Sequence, residues 1–289
     1  MDGKGAGGMN HTLILSYVTF IYFASFVFYL FRMILKKEFW GYAASLLAWL
    51  GLFAHTLAMM LRWRASYDLG FGHVPITNLY ESLVFFAWSI IMLYLAIEWR
   101  IKSRILGTFV VPVAFFVMAY ASIAPGVDHS IEPLIPALQS NWLTTHVLTC
   151  FMGYAAFTVA FGCGLLYLWT EKKETRETNP ASHPKENSSV LNTLDVLIYQ
   201  STSLGFIFLA MGIITGSVWA HYAWGSYWSW DPKEIWSLIT WLIYAIMLHA
   251  RFVRGWRGRR MAMMTIVGFV SVLFTYLGVN FLTSLHNYI

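Results

Sequence analysis

The chain has 289 residues, of which 58% are hydrophobic and only 11% charged, and its mean hydropathy is +0.59. Soluble domains carry about 25% charged residues, so the composition excludes a soluble fold and specifies an all-α polytopic protein embedded in a lipid bilayer. The net charge of +5 would also suit a nucleic-acid binder, but the placement of Lys and Arg gives it a different origin.

In chain order, M-D-G-K-G-A-G-G reads as a short flexible tail, followed by a run long enough to stay in the bilayer and unlike a cleaved signal. Eight apolar runs of spanning length follow, at about residues 12–31, 41–61, 82–99, 105–123, 142–169, 196–219, 235–250 and 262–285. The seventh reaches full length only if 231–234 begins the same helix. The fifth is long enough to tilt or to project from the bilayer.

With the N-terminus placed outside, only Lys4, Arg62, Arg64 and Lys233 of the 19 Lys and Arg residues face the outer side. The positive-inside rule therefore predicts both termini on the outer (periplasmic or lumenal) face, and the basic pI needs no nucleic acid to explain it. The expected outer loops are 63–81, 124–141 and 220–234. Residues 170–190, charged and proline-containing, are expected to form an inner polar linker.

Cys150 and Cys163 fall in one predicted helix, about 20 Å apart along its axis, beyond disulfide reach. With no C-x-x-C, the chain's own chemistry is not thiol redox.

The last outer loop is the informative stretch. From Trp219 to Asp231 it reads W-A-H-Y-A-W-G-S-Y-W-S-W-D and gathers Trp219, Trp224, Trp228 and Trp230 with Tyr222 and Tyr227. Belt aromatics at a membrane boundary come in ones and twos. This density suggests a continuous aromatic slab for a large flat ligand, and Trp142 and Tyr288 add to the same face. Asp231-Pro232-Lys233-Glu234 has the form of a helix N-terminus, with Asp as cap, Pro at the first position and Glu at the third. Asp231 can cap that helix and still touch a ligand. Gly212 and Gly216 form a small-xxx-small pattern suited to close helix approach.

The nine histidines differ in predicted depth. His146 lies in the first turns of helix five, after a plausible cap at Asn141, and His286 just past the end of helix eight. Taken singly, each suits an interfacial histidine bonded to a headgroup or loop carbonyl. As a pair beside the tryptophan-rich loop they suit two axial ligands of a haem iron. His249, some 25 Å deeper along helix seven than Pro232, is either a site inside the span or a histidine snorkelling to the inner interface. His55 poses a weaker version of that question near the outer side. His11, His73, His129, His183 and His221 read as structural or solvated.

At W-G-S-Y-W-S-W-D-P-K-E the chain resembles the WWD-domain family of cytochrome c assembly proteins. Its nearest likeness there is the CcsA/ResC branch of the system II synthetase. The resemblance extends to N-L-Y-E-S-L at 78–83, Q-S-N-W-L-T-T-H at 139–146, G-I-I-T-G-S-V-W-A at 212–220, L-H-A-R at 248–251 and S-L-H-N-Y at 284–288. It implies haem b as a transient substrate, with His146 and His286 as outer axial ligands and Trp224, Trp228, Trp230 and Asp231 in the loop beneath. It implies that His249 receives haem from the inner side, where basic residues attract the propionates. It also implies a CcsB/ResB-like membrane partner that supplies the second inner ligand, and an apocytochrome c whose C-x-x-C-H accepts the haem. The expected location is a bacterial inner membrane, or a thylakoid membrane. Two other classes fit the residues less fully. A bis-histidine quinol-oxidising subunit would need a partner for His249 at matched depth, which the sequence does not offer. A haem exporter or binding protein without ligation chemistry would use the same tryptophans.

Overall fold

A computed structural model describes residues 6–176 and 184–282; His183, His286 and Tyr288 lie outside these. Eight long helices make up the described chain: α1 Ala6–Leu35, α2 Glu38–Asp68, α3 Leu79–Ile101, α4 Gly107–Ile123, α5 Asn141–Arg176, α6 Pro184–Trp224, α7 Pro232–Arg254 and α8 Arg259–Tyr276. Seven are long and apolar enough to cross a membrane, while α4, at 17 residues, is shorter. The all-helical membrane architecture is therefore as the sequence indicates, but several helix ends differ. Helix α5 runs on to Arg176 and α6 begins at Pro184, so much of the expected linker is helical. E-K-K-E-T-R consists mostly of good helix formers, and leaving the bilayer gives the chain no reason to stop winding. Helix α6 likewise continues through Trp224, leaving a turn of only 225–231 before α7. Helix α8 stops at Tyr276, followed by a 3-10 turn at Gly278–Phe281, so His286 does not directly follow its end.

The chain divides into two compact units. One is built on residues up to Val147 with Tyr222–Gly225, the other on Leu148–His221 with residues from Ser226 onward.

In the first unit α1 packs along α2 and α4, and α3 packs on α4 and touches α2. The core is apolar between two polar knots. At one end the buried carboxylate of Glu98 (α3) accepts hydrogen bonds from Tyr29 of α1 (2.7 Å), Ser45 of α2 (2.5 Å) and Tyr94, with Arg104 Nε 4.0 Å away. Gly107 makes room for this knot, because a Cβ there would stand 2.5 Å from the Tyr94 hydroxyl. At the other end Arg62 (α2), only 2% exposed, donates from Nε to Glu81 of α3 (2.8 Å) and from its two terminal nitrogens to the carbonyls of His129 and Ser130 (both 2.8 Å). His11 of α1 lies 3.2 Å from the same guanidinium, on a helix and not in a tail. A charge taken from water must find its partners inside the protein, and these four supply them. Arg62 is thus a tie between α1, α2, α3 and the 124–140 loop, not a charge facing the outer compartment. Between the knots the fully buried His55 bonds Tyr22 at 3.1 Å.

In the second unit, small residues bring α5 and α6 together. A Cβ on Gly212 would meet Cys150 Sγ at 2.5 Å, and one on Gly205 would meet the Phe157 ring at 2.5 Å and the Gly153 carbonyl at 3.0 Å. The close approach expected at Gly212 is therefore present. Stacked rings join the remaining helices: Phe157 on Tyr244 (3.5 Å between centroids), Phe161 on Phe269 (4.4 Å) and Phe206 on Trp241 (4.7 Å). At the far end of α7, Arg251 makes a two-pronged bond to Asp195 of α6 (3.0 and 2.8 Å), whose carboxylate also accepts from Gly258 N–H (2.7 Å). Arg251 is thereby committed to the fold and is not a free inner cation.

Two outcomes follow from this packing. Arg62→Ala should destabilise the detergent-solubilised protein by about 3–5 kcal/mol, because it strands Glu81, whereas Arg62→Met with Glu81→Leu should cost much less. Thermal unfolding of the three proteins measures this, and equal losses would contradict it. Gly205→Ala should lower stability by about 1–3 kcal/mol in the same assay, although alanine is the better helix former by about 1 kcal/mol.

Candidate functional site

The tryptophan-rich stretch begins as helix and ends as a tight turn. Trp219 is buried within α6, Tyr222 is exposed, and the chain leaves the helix after Trp224 through Gly225, at φ +82°. His221, in the last turn of α6, lies parallel to Tyr227 with centroids 4.2 Å apart, so the turn is pinned to the helix that precedes it. Trp228 and Trp230 follow. Their rings are perpendicular, 5.9 Å between centroids, and Trp230 is 68% exposed. The two therefore make an edge-to-face corner and not the flat continuous slab that the sequence suggested.

Asp231 is the N-cap of α7, as D-P-K-E indicated. Its carboxylate accepts from Lys233 N–H (3.1 Å), and Glu234 reaches back to Asp231 N–H (3.2 Å), completing a capping box with Pro232 at the first helical position. The cap locks the turn against the helix start. Glu234 goes further: it also accepts from Ser229 N–H (2.7 Å) and the Ser229 hydroxyl (3.1 Å). Trp230, between the two bonded amides, has φ +60°, a left-handed conformation that is an outlier for a bulky residue. The sequence exposed the cap but gave no sign of this inverted tryptophan.

His146 is half-buried in the second turn of α5. The helix is capped by Ser140, whose hydroxyl accepts from Trp142 N–H (3.2 Å), one residue before the expected Asn141. The chain enters α5 from the 124–140 loop, which two buried side chains hold in place. Arg62 binds the carbonyls of 129 and 130, and His73 Nε2 lies 3.0 Å from that of Glu132. His129 is itself fixed, with Nε2 3.0 Å from the Ala121 carbonyl and its ring 4.4 Å from Tyr80. Within that loop Ser130 N–H donates to Asp128 (2.8 Å) and holds its carboxyl below the usual carboxylate range.

His249 is exposed on α7, between the buried Leu248 and Ala250. It shares a face with the exposed Leu242, Ile246 and Val253. It lies about 25 Å along the axis from Pro232, at the opposite end of the helix from Asp231.

Of the sequence-predicted site residues, the structure gathers Trp228, Trp230 and Asp231 in one turn. His249 stands at the far end of that helix, His146 and Trp224 belong to the first unit, and His286 is outside the described residues. Sequence reasoning missed Glu234 as more than a cap residue and His221 as the brace of Tyr227. The E of D-P-K-E signals the first; nothing short of the fold signals the second.

Comparison with known proteins places this arrangement. A profile of the family described as Cytochrome C assembly protein matches residues 76–286, a range that includes His146, the tryptophan-rich turn, His249 and His286. Among curated relatives, the cytochrome c biogenesis protein CcsA of Guillardia theta is 37% identical, over 90% of this chain and 88% of that one. The CcsA of Synechococcus sp. (strain CC9605) is 39% identical over 94% and 96%. That of Chlamydomonas reinhardtii is 42% identical over 80% of this chain but only 64% of its own length. Among solved structures, the cytochrome c heme lyase CcmF superposes with TM-score 0.71 at 18% identity, covering 93% of this chain and 46% of that one, a likeness of fold. The match from Ile76 to His286, with relatives near 40% identity over most of their length, shows that this chain belongs to the cytochrome c assembly protein family.

Proposed function

We propose that the chain is the haem-handling subunit of a cytochrome c synthetase. Haem b is its transient substrate, held at the outer face between His146 and His286 and laid against Trp224, Trp228 and Trp230, with Asp231 fixing the turn beneath. The observation that carries the reading is the exposed Trp230, perpendicular to Trp228 at the capped start of α7, in a chain of this family. A single exposed indole suits a membrane interface by itself, but a perpendicular pair fixed at one capped turn is a further feature that a flat ligand can use. Against the face of a porphyrin the pair contributes burial and ring contact.

Bis-histidine ligation occupies both axial positions of the iron and limits its reaction with oxygen. The C-x-x-C-H segment of an apocytochrome c then approaches, its histidine displacing one ligand. Each cysteine thiol adds across one vinyl double bond: sulfur bonds the carbon next to the ring, the thiol proton ends on the terminal carbon, and no electrons are gained or lost. The residues of this chain position the reactants and do not enter the new bonds.

His249 forms the inner site with a histidine of a CcsB/ResB-like membrane partner. Its exposed position in the apolar stripe of Leu242, Ile246 and Val253 supports that assignment, since an imidazole left facing lipid is costly. Both termini face the outer compartment, and the membrane is a bacterial inner membrane or a thylakoid.

In the complex with its partner, His146→Ala or His286→Ala should abolish holocytochrome c formation, with part of it restored by added imidazole. The double variant should also lose the low-spin b-type visible spectrum of the purified complex. Full maturation by either single variant, or an unchanged spectrum in the double one, would move the ligands elsewhere.

A further inference from the structure

Three non-glycine residues of the described chain have positive φ: Lys36, Lys102 and Trp230. Lys102 is the left-handed C-cap of α3, and Lys36 directly follows the last residue of α1. Left-handed residues are ordinary at helix C-termini. Trp230 is different: it directly precedes Asp231, the N-cap of α7, and ends no helix, so that explanation does not cover it. A left-handed conformation at a bulky residue costs about 1–3 kcal/mol, and something must hold it there.

Glu234 is placed to do so. Its Oε2 accepts from both Ser229 N–H (2.7 Å) and Asp231 N–H (3.2 Å), and its Oε1 accepts from the Ser229 hydroxyl (3.1 Å). Amides two residues apart lie about 7 Å from each other in an extended strand. They converge on one oxygen only when the residue between them is curled. A capping box needs only the bond to Asp231 N–H; the two bonds to Ser229 are additional, and they close the fork around Trp230. Glu234 is itself buried, which strengthens charge-assisted bonds to amides. The strain does not bury the tryptophan. It turns the ring outward, perpendicular to Trp228.

We propose that Glu234 is a positioning residue: through its forked bonds to the amides of Ser229 and Asp231 it holds Trp230 left-handed and fixes the angle at which the ring meets the porphyrin. This rests on the haem reading given above. Glu234 touches no substrate and acts only through the tryptophan.

The test uses the full chain purified with its membrane partner. Glu234→Ala should speed amide hydrogen exchange at Ser229 and Asp231 by about tenfold and lower holocytochrome c formation by about tenfold. Glu234→Gln keeps one acceptor oxygen for both amides and should leave both readouts near wild type. In a Trp230→Gly background, where the left-handed backbone is free and the ring is gone, Glu234→Ala should add less than about a twofold further loss. Should Glu234→Ala not accumulate, Glu234→Asp, one methylene too short for both amides, takes its place. The proposal is overturned if Glu234→Ala frees both amides yet matures cytochrome c at the wild-type rate. It is equally overturned if the loss is as large in the Trp230→Gly background as alone. A wild type that carries no haem and matures no cytochrome c overturns the haem reading, even if the alanine and glutamine variants differ in exchange. A haem-loaded, active wild type whose variants show no exchange contrast overturns the role of Glu234 alone.

Discussion

The guanidinium of Arg62 is the constraint on which the first unit depends. A permanent charge inside a bilayer-embedded bundle cannot be left without partners, and the fold brings four to it from three separate segments: His11, Glu81, and the carbonyls of His129 and Ser130. Glu81 is satisfied in turn by the backbone and hydroxyl of Thr77, both at 2.9 Å, and Asn78 caps the helix on which it sits. One charge therefore sets the ends of three helices and the path of the loop that leads into α5 and His146. Glu98 plays the same part at the other end of the unit, with tyrosine and serine hydroxyls in place of carbonyls. Polar knots of this kind add directional bonds that the contact of apolar surfaces does not have.

The turn before α7 joins stability to function differently. Its capping box stabilises the helix start as any good cap does. The same carboxylate that completes the box also maintains an unfavourable backbone at Trp230. Strain that persists beside an over-determined set of hydrogen bonds marks a place where shape matters more than local energy. Here the shape is an exposed aromatic corner, and the turn that carries it is tied to α6 by the stack of Tyr227 on His221.

How much of this could be read beforehand depended on the range of the interaction. The eight helices were legible because the thickness of a bilayer fixes the length of an apolar run. The cap at Asp231 and the close approach at Gly212 were legible because both are local patterns with one physical solution. The ends of α5 and α6 were not, since charged helix formers carry a helix past the membrane without changing its period. Arg62 was counted as one more outer cation, because its pairing with Glu81 spans a turn and two helices and leaves no periodic trace. Trp230 was legible as an aromatic, but not in its backbone, since the expectation for any bulky side chain is negative φ. The outer histidine pair owed its reading to the company of the tryptophans and to resemblance, more than to any property of a single histidine.

Helix α4 is the shortest of the eight long helices. Seventeen residues extend about 25 Å, some 5 Å less than the hydrocarbon thickness of an average bilayer. Phe116 and Ile123 on its surface are widely exposed, so the helix presents a short apolar wall. At its start, the Glu98–Arg104 knot fixes the neighbouring chain, and at its end the loop anchored by Arg62 begins. Held at both ends, the helix is fixed in register against its neighbours in the first unit. A residue inserted into or removed from α4 therefore shifts the register of one knot against the other and cannot be absorbed at either end of the helix.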